Sequence, residues 1–83
     1  MHITGMTEAD FQAKLIKTYE AEGWYVIKLI QCNKTGMPDL ILMRPNEVKW
    51  VEVKSAKGRL SPVQEYRHQE LRARGFTVET IKP

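Results

Sequence analysis

The chain has 83 residues, of which 42% are hydrophobic and 28% charged, and a formal net charge of +3. This length and composition predict one small folded domain with a single modest core and exclude a disordered chain. A single cysteine, Cys32, excludes an internal disulfide, and the chain has no Cys/His cluster with the spacing of a zinc site. Residues 24–30 form the longest mostly apolar stretch, which is too short to span a bilayer, and no leader pattern stands at the N-terminus. We therefore expect a cytoplasmic protein with no membrane partner.

The first predicted element is an amphipathic helix. Thr7 suits the N-cap position, Asp10 follows three residues later, and apolar residues then recur at helical spacing until Gly23. Residues 24–30 are rich in aromatic and β-branched side chains without helical periodicity, which predicts a strand covered on both faces. Residues 31–38 have turn composition and predict a loop.

Two further strands form a predicted hairpin that carries charged residues. Residues 39–43 and 48–55 are strand-like runs separated by residues 44–47, whose central Pro-Asn pair suits a tight turn. Pairing outward from an even-numbered turn places Asp39 opposite Glu52, on one face of the hairpin. A register shifted by one residue would separate them.

The second half of the chain predicts a helix and a last strand. Ser61 suits an N-cap, with Pro62 at the first helical position and Gln64 three residues after the cap, and Gly75 ends the helix. Residues 76–81 then form a strand parallel to the third one, because the helix serves as a βαβ crossover. The predicted fold is α/β, with a mixed sheet flanked by helices in a single domain over residues 1–83.

The opposed carboxylates of Asp39 and Glu52 predict a metal site. Two carboxylates about 5 Å apart repel by about 3 kcal/mol at an effective dielectric near 20, a large fraction of a small domain's stability. A divalent cation reverses this effect, and magnesium needs only one or two carboxylates together with water and substrate phosphate oxygens. Lys54 is predicted on the same face as Glu52, where its charge would stabilise a phosphate transition state.

Three segments of the chain resemble the VRR-NUC (virus-type replication-repair nuclease) branch of the PD-(D/E)xK nuclease superfamily. They are Gly-Met-Pro-Asp at residues 36–39, Trp-Val-Glu-Val-Lys at residues 50–54 and Gly-Arg-Leu-Ser-Pro-Val-Gln at residues 58–64. The resemblance covers most of the chain and implies a restriction-endonuclease-like PD-(D/E)xK core with the element order αβββαβ.

The resemblance also implies the activity and the site. It implies a structure-selective DNA endonuclease that hydrolyses phosphodiester bonds in branched DNA, similar to Holliday-junction resolvases, and acts in repair, recombination or phage replication. A homodimer in a bacterial or phage-infected host cell is the implied form. The implied catalytic residues are Glu8, Asp39, Glu52, Lys54 and Gln64. The implied ligands of Mg²⁺ or Mn²⁺ are Glu8, Asp39, Glu52 and the backbone carbonyl of Val53.

Several of these residues have a structural alternative. Glu8 is also an ordinary first-turn acid, and Gln64 also completes a capping box with Ser61. Asp39 alone could cap its own turn. We expect His68 to be an exposed helix residue.

Basic residues are concentrated late in the chain, since residues 54–74 contain six basic residues and two acids. Lys34, Lys57 and Arg59 are the predicted DNA-phosphate contacts, and ordinary surface charges are the alternative. Trp24, Trp50, Tyr25 and Phe76 are expected in the core or at a subunit interface. The competing functions are a non-catalytic nucleic-acid-binding module that keeps the nuclease fold and a protein-interaction domain.

Overall fold

A computed structural model describes residues 6–83, so the first five residues of the expected 1–83 domain lie outside the described part. The elements in chain order are α1 (Glu8–Ala21), β1 (Tyr25–Lys28), β2 (Leu40–Arg44), β3 (Glu47–Val53), α2 (Pro62–Ala73) and β4 (Thr77–Ile81). The predicted order and the mixed α/β fold class are confirmed. Within residues 6–83, no helix has the length and apolar character needed to cross a membrane.

The four strands form one sheet in the order β1-β2-β3-β4. The β1/β2 and β2/β3 pairs are antiparallel, and β3/β4 is parallel. Met43 pairs with Val48 and Leu40 with Val51, which is the predicted hairpin register. Asn46 has a φ of 62°, a turn conformation that asparagine tolerates. Continued by one residue, the same register sets Asp39 opposite Glu52.

The hydrophobic core lies between the sheet and α1. Leu40, Leu42, Val51 and Val53 project from one face of the β2/β3 hairpin and are fully buried against a cluster that includes Phe11 and Trp24. Since side chains alternate along a strand, Ile41, Trp50 and Glu52 project from the opposite face. That face is covered at β4 by α2, whose buried residues are His68 and Leu71. Glu52 therefore lies beneath α2.

The expectation that residues 24–30 form a strand covered on both faces is wrong. The strand is shorter, Tyr25–Lys28, and it is an edge strand whose end residues are exposed. α1 covers the face that carries Val26, whereas Tyr25, on the other face, is 71% exposed. Aromatic and β-branched composition predicted the strand but carries no information about how many layers cover it.

Both helices begin where the sequence predicts. The Thr7 hydroxyl accepts a hydrogen bond from the Asp10 N–H at 3.0 Å. Ser61 and Gln64 form a complete capping box: the Gln64 N–H donates to Ser61 Oγ at 3.2 Å, and the Ser61 N–H donates to Gln64 Oε1 at 2.9 Å. These caps fix the start of each helix.

Candidate active site

Asp39 is fixed by both neighbouring strands. It directly precedes β2, and its carbonyl accepts a hydrogen bond from the Leu29 N–H at 2.8 Å. Its side-chain Oδ2 accepts a second one from the Val53 N–H at 2.7 Å. The Asp39 carboxylate thus accepts a hydrogen bond from the backbone of β3 just beyond the last β2/β3 residue pair, Leu40 and Val51. Pro38, which is buried and has no N–H to place, sets the start of the strand.

Glu52 is an almost completely buried carboxyl group, with 1% of the residue exposed. The pKa of Glu52 is raised to about 8, chiefly by burial, and also by hydrogen bonding to Asp39 and by repulsion from its charge. The charge of Lys54 lowers the pKa of Glu52, and the charge of Glu8 raises it. Asp39 and Glu52 are therefore neighbours, as predicted. In the absence of metal, Glu52 holds a proton at neutral pH.

Oxygen donors and competing negative charge make the Asp39/Glu52 pair a suitable place for a hard divalent cation. A cation would replace the shared proton and relieve the repulsion between the two carboxylates. Among residues 6–83, no three His, Cys, Asp or Glu side chains are close enough together to hold a metal ion by themselves. The pair fits magnesium or manganese, whose remaining ligands are commonly water and substrate phosphate.

His68 is not the exposed helix residue that we expected. Only 1% of it is exposed, and its Nε2 lies 3.2 Å from Glu52 Oε1. Burial lowers the pKa of His68, and the charges of Arg72 and Lys54 lower it further, so the imidazole is neutral at pH 7. The error has a physical source: the burial of His68 depends on the position of Glu52 under α2, which local sequence does not reveal.

Lys54 directly follows β3, which ends at Val53 and not at residue 55 as predicted. Its N–H donates to the Ile81 carbonyl at 3.0 Å, so the backbone is held against β4. The positive charge of Lys54 lowers the pKa of both Glu52 and His68.

Gly58 packs against the stem of Lys54. A Cβ at residue 58 would lie 3.2 Å from the Lys54 Cβ and 3.3 Å from its Cδ. The turn is closed by a hydrogen bond from the Gly58 N–H to the Ser55 carbonyl at 3.0 Å. In the sequence, Gly58 is part of the family motif, and no local pattern indicates its contact with Lys54. The close approach of the turn restricts where the lysine stem can lie.

Glu8, Gln64 and Val53 are less completely defined. Glu8 is exposed in the first turn of α1, and its charge raises the pKa of Glu52. Within residues 6–83, however, it does not form a three-ligand cluster with Asp39 and Glu52. Gln64 uses Oε1 in the capping box, and its amide nitrogen takes no part in that cap. Val53 donates its N–H to Asp39. The catalytic and metal-binding roles of these residues stay predictions.

Loop residues 31–38 are attached to α2. Arg67 Nε donates to the Thr35 carbonyl at 2.8 Å. Gly36 has a φ of +86°, and a Cβ there would lie 3.0 Å from the backbone of Val63. Glycine at residue 36 is therefore required both by its positive φ and by its close packing against α2. A cavity of about 360 Å³ is lined by this loop, including Lys34, and reaches Asp39.

The two other predicted DNA contacts follow Lys54 in the chain. Lys57 and Arg59 are both exposed, in the segment between β3 and α2. They and Lys34 are therefore in segments adjoining the Asp39/Glu52 end of the sheet. Their contact with DNA stays a prediction.

Comparison with known proteins identifies the family of this chain. The model of the VRR-NUC domain family matches residues 6–82. A solved structure described as "VRR_NUC domain" is 30% identical, with a TM-score of 0.81 over 93% of this chain and 86% of that chain. A second, "VRR_NUC domain protein", is 19% identical, with a TM-score of 0.80 over 95% of this chain and 79% of that chain, and supports the fold alone. No curated protein sequence matches. The chain belongs to the VRR-NUC family of nuclease domains.

Proposed function

We propose that this protein is a metal-dependent DNA endonuclease that hydrolyses phosphodiester bonds, with Mg²⁺ or Mn²⁺ held by Asp39 and Glu52. The observation that carries the proposal is the pairing of these two carboxyl groups at the end of the sheet, where Glu52 is buried and its pKa is raised to about 8. Such a pair reduces the stability of a small domain, and destabilising buried charges of this kind are typical of functional sites. Membership of a nuclease family supplies the class of reaction.

Each residue of the proposed site has a distinct task. Asp39 and Glu52 bind the ion, and Glu8 and the Val53 carbonyl are the further proposed ligands. The ion would lower the pKa of a bound water and neutralise charge on the phosphate that is attacked. Lys54 orients the attacking water and stabilises the negative charge that develops on the phosphate oxygens. Gln64 uses its free amide nitrogen toward the same site.

DNA is the proposed partner, and its phosphates would contact the basic residues beside the site. Lys57 and Arg59 are exposed in the segment that follows Lys54, and Lys34 lines the loop cavity that reaches Asp39. Phosphate contacts of this kind position DNA without reading its sequence. Selectivity would then come from DNA shape, which supports a preference for branched substrates in repair, recombination or phage replication within a bacterial or phage-infected cell.

A homodimer is the proposed active form, because one domain holds one site and a branched junction requires two cuts. The sheet face that carries Asp39 is also partly uncovered away from α2. This face carries Tyr25, Met43 and Val48, which are 71%, 37% and 37% exposed, respectively. Pairing of two such faces would bury apolar surface that a domain of this size exposes to water.

Cleavage assays on defined DNA test the proposal. The purified protein is incubated with linear, flap and four-way-junction DNA in Mg²⁺, Mn²⁺ or chelator, beside Asp39→Ala and Lys54→Ala variants. We expect cleavage that requires metal, is greatest on a branched substrate and is lost in both variants, while Lys54→Ala still binds DNA.

Other outcomes would assign the chain to another class. DNA binding without metal-dependent cleavage would indicate a non-catalytic nucleic-acid-binding module. Absence of DNA retardation even at low salt would indicate a protein-interaction domain, because phosphate contacts strengthen as salt falls. Sedimentation of the wild-type protein with and without junction DNA tests the dimer.

A further inference from the structure

A buried histidine lies directly on the proposed metal-binding carboxylate. His68 Nε2 is 3.2 Å from Glu52 Oε1, and the two side chains are 1% and 2% exposed. His68 is four residues after Gln64 and three before Leu71, so it faces the sheet from the same side of α2 as those two residues. Its contact with Glu52 joins the second helix to the site through a side chain that has no place among the predicted site residues.

We propose that His68 is a positioning residue: its Nε2–H donates to one oxygen of Glu52 and thereby fixes the orientation in which the carboxylate binds the metal ion. The proposal rests on the proposed function, because it gives Glu52 a metal to bind. His68 itself touches neither metal nor substrate in this account. It acts only through Glu52, as hydrogen-bonding partners of metal-binding carboxylates commonly do.

Hydrogen-bonding geometry selects the tautomer. When a metal ion is bound, Glu52 is an ionised carboxylate that can only accept a hydrogen bond, so the neutral imidazole must carry its proton on Nε2 for the 3.2 Å contact to be favourable. The other nitrogen, Nδ1, is buried without a hydrogen-bond partner among residues 6–83. A proton on Nδ1 would leave an N–H donor unsatisfied and set two acceptors against each other at Nε2 and Oε1. Both effects disfavour that tautomer.

Three substitutions of His68 separate the hydrogen bond from the volume of the ring. His68→Leu fills most of the space without a donor. His68→Gln places its amide nitrogen near the position of Nε2, whereas the shorter side chain of His68→Asn places it near Nδ1, away from Glu52. Mn²⁺ affinity of each variant is measured by isothermal titration calorimetry, and cleavage is measured as separate kcat and KM for DNA.

We expect His68→Leu and His68→Asn to weaken Mn²⁺ binding by about 10- to 100-fold, the usual effect of removing a hydrogen-bonding partner of a metal ligand. His68→Gln should recover most of that affinity. At saturating Mn²⁺ the KM for DNA should stay near the wild-type value in all three variants, because His68 makes no DNA contact. Equal affinity in His68→Leu and wild type, or no recovery in His68→Gln, would overturn the proposal.

Leu71→Val is the matched control for loss of packing. Leu71 is buried on the same face of α2, one turn after His68, and belongs to no predicted site. Its substitution loosens the contact of α2 with the sheet, and we expect Mn²⁺ affinity to stay unchanged. If Leu71→Val weakens Mn²⁺ binding as much as His68→Leu does, the effect of His68 is general packing and the positioning role is overturned.

Nitrogen-15 NMR of the protein in saturating Mg²⁺, where Glu52 is ionised, tests the contact without any activity. The chain has two histidines, and a His2→Ala background leaves His68 as the one imidazole to observe. We expect the shift pattern of a neutral ring protonated at Nε2, and a ring protonated at Nδ1 would overturn this inference alone. A wild-type protein that shows the Nε2–H ring but binds no Mn²⁺ and cuts no DNA would instead refute the proposed function.

Discussion

The Asp39 carboxylate is held by the strand that carries Glu52, since its Oδ2 accepts the Val53 N–H at 2.7 Å. The neighbouring Glu52 side chain contacts His68 from α2. The two carboxylates of the proposed metal site are thus positioned by different parts of the fold, one by the main chain of β3 and the other by a helix that follows it.

Asp39→Asn should separate charge from structure. The asparagine amide oxygen can still accept the Val53 N–H, and the substitution removes repulsion from Glu52, so folding stability should be kept or raised. Cleavage should be lost, because a neutral amide binds magnesium or manganese poorly. Asp39→Ala should lose cleavage too, and should also lower the free energy of unfolding by about 1–3 kcal/mol, since it leaves the Val53 N–H without its partner.

Urea unfolding and cleavage, measured on the same preparations, check both substitutions. Cleavage retained by Asp39→Asn would contradict a metal-binding role for this carboxylate.

Glu52→Gln should change how stability depends on pH in chelator. The pKa of Glu52 is about 8 in the folded protein and near 4.5 unfolded, so the folded state binds the proton more tightly. The wild-type free energy of unfolding therefore falls as pH rises from about 4.5 to about 8 and levels off above that. Glutamine does not titrate, so the free energy of unfolding of Glu52→Gln should rise relative to that of the wild type over the same pH range. At about 1.4 kcal/mol per unit of pKa shift, the difference should reach a few kcal/mol.

Urea unfolding at pH 5, 7 and 9 measures this difference. A constant difference between Glu52→Gln and wild type across that range would contradict the raised pKa. Mg²⁺ should stabilise the wild type most at the alkaline end, where the ion competes with no proton, and should leave Glu52→Gln almost unaffected.

Gly58→Ala should impair cleavage through Lys54. The added methyl group would lie 3.2 Å from the Lys54 Cβ and Ser55 Oγ and would displace the lysine stem by a few tenths of an ångström. We expect kcat to fall while Mn²⁺ affinity stays near the wild-type value, because the two carboxylates are not touched. The free energy of unfolding should fall by about 1 kcal/mol.

Gly75→Ala is a control for Gly58→Ala, since a Cβ at Gly75 meets no atom within 4 Å and only its φ of +90° is strained. It should lower stability without changing kcat. Equal losses of kcat in the two variants would show that reduced stability, and not the position of Lys54, causes the effect.

Ser61→Ala and Gln64→Ala should separate capping from catalysis. Each removes one hydrogen bond of the same capping box, so each should lower the free energy of unfolding by about 1 kcal/mol. Only Gln64→Ala should also lower kcat, because only Gln64 has a proposed role at the site. If the two variants cleave DNA equally at temperatures well below their unfolding transitions, Gln64 only caps the helix and has no role in catalysis.

The hairpin was predictable because its determinants are local. A two-residue turn and the strict alternation of side chains fix the register, and the register alone brings Asp39 opposite Glu52. The helix starts at Thr7 and Ser61 were predictable for the same reason, since capping depends on residues three apart in sequence.

His68 was placed wrongly because its environment is created by distant parts of the chain. It becomes buried only when α2 crosses over the sheet and sets it above Glu52, sixteen residues earlier. A usable signal was present: His68 shares a helix face with Leu71, the apolar residue that faces the sheet. The edge position of β1 was missed because composition does not reveal strand order, and the contact of Gly58 with Lys54 depends on how the turn folds back.

Anomalous X-ray scattering from a crystal soaked in Mn²⁺ would show whether Asp39 and Glu52 hold a divalent cation. We expect an anomalous peak within coordinating distance of both carboxylates, with His68 Nε2 still bonded to Glu52 and the peak absent in Asp39→Asn. A manganese peak elsewhere on the molecule with none at this pair would show that the two carboxylates are not the metal site.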